Sequence, residues 1–216
     1  MTDVPVFDVF GAAVSLSVTT WPETLQPAQC KFGRLNSDTH SMSPTTRTRQ
    51  IVRRNRPLWQ ANITWKVKPK QVSEMRYQME RLNGGSECVK LRDYAAKPIA
   101  RTGITLLSSA AILAVSLTLA GFPVSTSNVV RAGDYLELGG YLYIIAADAS
   151  SNGSGQATVS LTSPLQVASA ASSAVELAAP GRIMRQTSPD WSGSRSVSEG
   201  LWSVSMGWIE RISDTA

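Results

Sequence analysis

Five arginines crowd into one short segment, at Arg47, Arg49, Arg53, Arg54 and Arg56. No other set of side chains in the chain is as dense in one chemistry. Guanidinium groups at this spacing can meet phosphate oxygens. They can equally meet an acidic face on a neighbouring subunit, or lie along a strand edge and keep it from aggregating. Residues 47–101 hold fourteen basic and four acidic groups, net +10, between flanks of −2 (residues 1–46) and −3 (residues 102–216). The total of +5 therefore belongs to one segment, and its five clustered arginines are candidate subunit-interface residues.

The remaining reactive groups are sparse. His40 is the single histidine, and Cys30 and Cys88 are the only cysteines. Two distant cysteines make neither a zinc site nor a disulfide framework, and they fit a reducing compartment. No GxSxG elbow, Walker-type loop, HExxH helix or spaced Cys/His set occurs. Gly193 and Gly200 do not open a phosphate-binding helix, and Asp134, after Gly133, reads as a turn former. Asp8, Glu23 and Asp38 have no carboxylate partner in register. With no nucleophile–base pair, no enzyme, cofactor or metal is expected.

The elements that must position these groups are mostly strands. Trp59, Ala61, Ile63, Trp65 and Val67 alternate with Gln60, Asn62, Thr64 and Lys66, the period of a half-buried strand. Pro69 ends that ladder and suits a first helical turn. Val72, Met75, Met79 and Leu82 then form one helical stripe, so a helix is expected over about 70–83. Asn83-Gly84-Gly85 stops it, and Cys88, Val89 and Leu91 read as a second strand. Val14, Leu16 and Val18 mark an earlier strand. Residues 22–50 lack apolar periodicity and read as a long loop or an extended hairpin arm. Near the other end Trp202, Val204, Met206 and Trp208 repeat the tryptophan-bearing alternation. Two strands with matched aromatic faces are expected to share one core. The candidate core residues are Trp59, Trp65, Val72, Met75, Met79, Leu82, Trp202 and Trp208.

Between these strands the composition changes. Residues 104–124 are uncharged and long enough to span a bilayer, but interspersed Ser and Thr, the Gly121-Phe122-Pro123 break and the alternation of Val115, Leu117 and Leu119 favour a strand. Tyr135–Leu138 and residues 141–146 flank Gly139-Gly140, which predicts a tight hairpin with Leu138 opposite Tyr141 and Leu136 opposite Tyr143. Ala157, Val159 and Leu161 mark a further strand, and 167–179 is a low-complexity Ala/Ser/Val tract. The expected fold is mainly β with one principal α-helix. A discontinuous β-sandwich or split-barrel domain (1–101 and 181–216) is interrupted by a small OB-like β-barrel (102–180). The insert holds one basic residue, Arg131, among its charges, which argues against nucleic-acid binding there. No charged n-region precedes an apolar start, so no secretory signal is expected.

The run RPLWQANITWKVKPKQVSEMRYQMERLNGGSECVKL (56–91) resembles the strand–helix–strand of phage tail proteins. AGDYLELGGYLYIIAADASSNGSGQATVSLTSPL (132–165) resembles a module inserted in siphophage tail-tip proteins, and LWSVSMGWIERI (201–212) resembles the returning strand. Together they resemble the distal tail proteins of long, non-contractile-tailed bacteriophages. That resemblance implies a homohexameric ring at the virion's tail tip, assembled in the bacterial cytoplasm. The ring would join the tail tube protein to the baseplate hub or other tip proteins and let DNA pass its lumen without sequence-specific binding or membrane insertion. Galectin-like relatives carry a longer accessory domain than 102–180 allows. Two other readings stand beside it: another phage connector, such as a tail-completion or head–tail joining protein, and a nucleic-acid-binding module using 47–56.

Overall fold

A computed structural model describes residues 4–7, 13–16, 18–22, 24–35, 39–42, 49–52, 58–82, 87–188, 193–195 and 200–211. The chain is mainly β, with one short α-helix among the described residues. In chain order the strands are β1 (Val4–Phe7), β2 (Ala13–Leu16), β3 (Val18–Thr20), β4 (Gln29–Leu35), β5 (Thr39–Met42), β6 (Arg49–Val52) and β7 (Leu58–Val67). A 3-10 turn at Pro69–Gln71 leads into α1 (Val72–Arg81), then β8 (Cys88–Leu91). Next come β9 (Ile104–Leu106), β10 (Ser116–Ala120), β11 (Tyr135–Leu138), β12 (Tyr141–Ile144), β13 (Gln156–Ser160) and β14 (Ala174–Glu176). The chain closes with β15 (Arg182–Gln186), β16 (Gly193–Arg195) and β17 (Trp202–Glu210).

The chain divides into two compact units, Met1–Asp93 with Ile183–Ala216, and Tyr94–Arg182. The joints lie outside the 101 and 181 that composition marks. The reason is packing: Ile99 sits against the second unit's core, and the Arg101 guanidinium lies 5.9 Å from the Phe122 ring centroid.

In the first unit the main sheet runs β3-β8-β15-β17-β7-β4, with β16 added on β17. β7 and β17 pair antiparallel with Trp65 opposite Val204, Ile63 opposite Met206 and Ala61 opposite Trp208. This register puts the apolar set of each strand on one face, because side chains alternate with period two. Trp59, Trp65 and Trp208 are buried, as are Met75, Met79 and Leu82 on and just after α1. Val72, at the first α-helical position, and Trp202, at the start of β17, are only half-buried. The helix is shorter than 70–83, because Pro69 opens it with a 3-10 turn.

Of the two readings of residues 22–50, the loop gives way to the hairpin arm: β4 pairs along its length with β7, from Gln29 opposite Thr64 to Leu35 opposite Leu58. Its apolar content is thin because it stands at the end of the sheet and half-buries Cys30, Phe32 and Arg34. β5 and β6 form a separate hairpin, Thr39 opposite Val52 through Met42 opposite Arg49, and β1 and β2 form another.

The second unit is one antiparallel six-stranded sheet, ordered β12-β11-β14-β9-β10-β13. Its two end strands are themselves joined. Ile145 bridges Leu161, Ala146 N–H donates to Ser160 O at 2.8 Å and Thr162 N–H to Ile144 O at 2.9 Å. The strand order is therefore a closed circuit. The β11–β12 hairpin has Leu138 opposite Tyr141 and Leu136 opposite Tyr143. Gly139 and Gly140 take φ of 60° and 77°, as a primed two-residue turn requires. Ile104, Leu106, Leu117, Leu119, Leu136 and Val159 are among the residues that fill the interior. β9 and β14 occupy the uncharged stretch and the low-complexity tract. No helix among the described residues is long and apolar enough to cross a membrane.

Candidate assembly surfaces

The helix start is tied to a segment that composition gives no reason to bury. Gln71 Nε2 donates to Thr24 O at 2.9 Å, and Thr24 Oγ1 donates to Glu74 Oε1 at 2.8 Å. That holds Trp21 and Leu25 in the core, both buried. Trp21 Nε1 and Trp65 Nε1 donate to the same carbonyl, Leu25 O, at 3.1 and 3.2 Å. The ring centroids of Trp21 and Trp65 are 4.8 Å apart. Trp208 meets Trp21 at 6.2 Å and 76°, and Trp65 at 6.5 Å and 77°. Edge-on contacts of this kind add about 0.5–1.5 kcal/mol per pair beyond area burial. Trp21 and Leu25 escaped sequence reasoning because each is an isolated apolar residue among polar ones. A tryptophan beside a proline in a polar stretch is the one signal that could have marked them.

The candidate interface arginines divide. Arg49 lies in β6, opposite Met42; Arg47, Arg53, Arg54 and Arg56 lie outside the described residues. His40 lies in β5 beside Ile51 of β6.

Polar groups elsewhere are committed to structure. Arg34 lies over the Trp59 ring at 4.8 Å, and Arg76 over the Trp202 ring at 5.2 Å. Glu210, buried, accepts the Trp59 N–H at 2.8 Å. Arg211 Nη1 donates to Cys88 Sγ at 3.3 Å. In the second unit Asp134 accepts Arg131 N–H at 2.7 Å and Asp148 accepts Ala132 N–H at 2.8 Å, so both carboxylates shape one turn. Tyr143, buried, accepts the Gln166 N–H on its hydroxyl at 3.1 Å. Among the described residues no group of three or more His, Cys, Asp or Glu is arranged to hold a metal ion.

Compared with known proteins, the chain matches no protein-family model and no curated protein sequence.

Proposed function

We propose that the chain is a structural subunit of a phage tail tip, which assembles as a homohexameric ring between the tail tube protein and the baseplate hub and leaves a lumen for DNA. One observation carries this reading. The chain leaves its main sheet after β8 and returns in β15, the strand next to β8 in that sheet, after completing a second unit with its own core. A self-contained module placed between neighbouring strands decorates a scaffold without interrupting it. The first unit is then the ring-forming domain, of β-sandwich or split-barrel type, and the second an accessory barrel. We read that barrel as OB-like in size and antiparallel closure, although it uses six strands where an OB-fold uses five.

The described carboxylates and arginines that bond backbone or stack on rings fit a scaffold better than a catalyst. The +10 segment between negative flanks suits head-to-tail subunit contacts, in which unlike patches meet around a closed ring. Native mass measurement and images of the purified protein and of virions test the proposal. Hexameric rings located at the tail tip are expected. A strict monomer that is also absent from tail tips sinks it, and a position at the head–tail joint replaces it with another phage connector.

A further inference from the structure

The closed barrel carries one surface that its own fold does not explain. Residues 110–114 run as a ribbon against residues 165–169, and on either side of it Leu107 N–H donates to Thr118 O and Val115 O accepts Leu161 N–H. Ala110 and Ser169 exchange backbone bonds at 2.8 and 2.9 Å, Leu113 N–H donates to Leu165 O at 2.9 Å, and Leu165 N–H donates to Ala114 O at 2.8 Å. On this ribbon Ile112, Leu113 and Val167, and at its ends Leu107 and Val115, are all exposed, from 44% for Leu107 to 63% for Leu113. Together they leave on the order of 500 Å² of apolar surface open, near the top of what the largest patch on a monomer shows.

Two further facts set the patch apart. Leu113 has φ of 69°, a left-handed conformation that costs a side chain with a Cβ roughly 1–2 kcal/mol. Glycine or asparagine would hold the turn more cheaply, and a leucine that points into water returns nothing to the fold. The segments that form the patch also carry no charge: residues 102–130 and 163–175 hold none. The charged residues of the barrel sequence lie at Arg131, Asp134, Glu137, Asp148, Glu176 and Arg182, and at Lys97 and Arg101 before it.

We propose that this ribbon is a contact face for the same face on a second copy of the chain. The charge pattern selects that occupant. A dissimilar partner is ordinarily chosen by charges of opposite sign around an apolar centre, and this face offers none. Against its own copy it meets an equally uncharged surface, with no like-charge repulsion and no charge to desolvate. The area agrees: two such faces together bury on the order of 1,000 Å², the lower bound for a specific interface, so the pairing is weak and two-fold symmetric. It resides in the barrel and does not depend on the ring reading of the other unit.

The test uses the full chain. Sedimentation equilibrium over a wide concentration range is run on the unaltered protein, Ile112→Lys and Leu113→Gly. Leu113→Gly keeps the turn and removes the side chain, so it remains folded even where a lysine is poorly tolerated. Both substitutions are expected to weaken pairing by about tenfold or more, with circular dichroism unchanged. In a Cys30→Ser background, Val115→Cys should cross-link to itself between copies with a short bis-maleimide, and Gly153→Cys, on another loop of the barrel, should not. Unchanged association in a folded Leu113→Gly protein overturns the proposal. So does binding of the patch to phosphatidylcholine vesicles with no pairing between copies. A ring built by the other unit survives both substitutions, so failure of the ring reading and failure of this one give different results.

Discussion

The tryptophan cluster permits a test in which two substitutions of identical chemistry differ by one hydrogen bond. Trp65 and Trp208 are both buried, at 0% and 1% exposure, and they touch each other and Trp21. Trp65 Nε1 donates to Leu25 O; Trp208 Nε1 is buried with no hydrogen-bond partner among the described residues. Replacement of either by Phe removes similar apolar volume and leaves a similar cavity, about 1–2 kcal/mol in each case. Trp65→Phe also loses a hydrogen bond, about 1 kcal/mol. Leu25 O keeps its bond from Trp21, so no acceptor is orphaned. Trp208→Phe instead removes a donor whose burial costs about 1–3 kcal/mol unbonded. Trp65→Phe should therefore be the more destabilising by about 2 kcal/mol or more, and Trp208→Phe should be close to neutral. Urea unfolding reads this directly. All six tryptophans fall in the first unit, so their fluorescence follows that unit alone. At an unchanged slope of about 2 kcal/mol per molar, the midpoints should differ by about 1 M. Equal midpoints, or a lower one for Trp208→Phe, would refute the reasoning and show that the Trp208 indole has an acceptor.

Replacing residues 94–182 by a short Gly-Ser linker should leave the first unit folded, with one cooperative tryptophan-fluorescence transition; loss of all cooperativity counts against a self-contained insert. Gly155→Ala should destabilise the barrel far more than Gly140→Ala. Both glycines have positive φ, but a Cβ at Gly155 also runs into Phe122 O, while one at Gly140 meets nothing. Thermal unfolding should show roughly 1–2 kcal/mol for Gly140 and clearly more for Gly155, with the tryptophan signal unmoved in both. Gly193→Ala drives a Cβ into the Trp202 ring and should cost about 1–3 kcal/mol, a loss that Trp202→Leu in the same chain largely restores. Exchanging Arg47, Arg49, Arg53, Arg54 and Arg56 for Gln should weaken assembly and flatten its salt dependence. If assembly is untouched and DNA affinity instead loses a salt slope of about 0.9 per arginine that contacted phosphate, the nucleic-acid reading takes its place.

Legibility in the sequence followed how many side chains each element commits to one face. β7 and β17 are long, alternate strictly and carry tryptophan, so their extent was readable, and the Gly-Gly turn set the β11–β12 register locally. β9, β14 and β15 were not readable. Each is short, and its state is decided by partners distant in sequence, such as Ala174 beside Thr105 and Met184 beside Glu210. Strand preference of this kind follows packing against neighbours more than local composition. β3 pairs parallel to β8, across a separation that no local pattern encodes. On the candidate surfaces, the arginine cluster was legible as composition, whereas the exposed ribbon was not. The residues of that ribbon look like ordinary core residues in sequence, and only their exposure in the folded chain sets them apart.

The return of the chain from the second unit shows how that unit completes itself. Glu137 and Glu176 stand directly opposite on β11 and β14, and like charges so placed are unfavourable in themselves. Each carboxylate is bonded to the outgoing backbone instead. Glu137 Oε2 accepts Gly181 N–H at 2.8 Å, and Glu176 Oε1 accepts Ala178 and Ala179 N–H at 2.7 and 2.9 Å. Arg182, buried, donates to Gly140 O and lies 4.1 Å from the Tyr141 ring centroid. Hydrogen bonds to a charged acceptor contribute about 1.5–3 kcal/mol each, enough to outweigh the repulsion of one cross-strand pair. The second unit thus holds the last residues of its own segment with its own hairpin, up to the first residue of β15. A module that fixes its own exit does not rely on the host sheet to complete it.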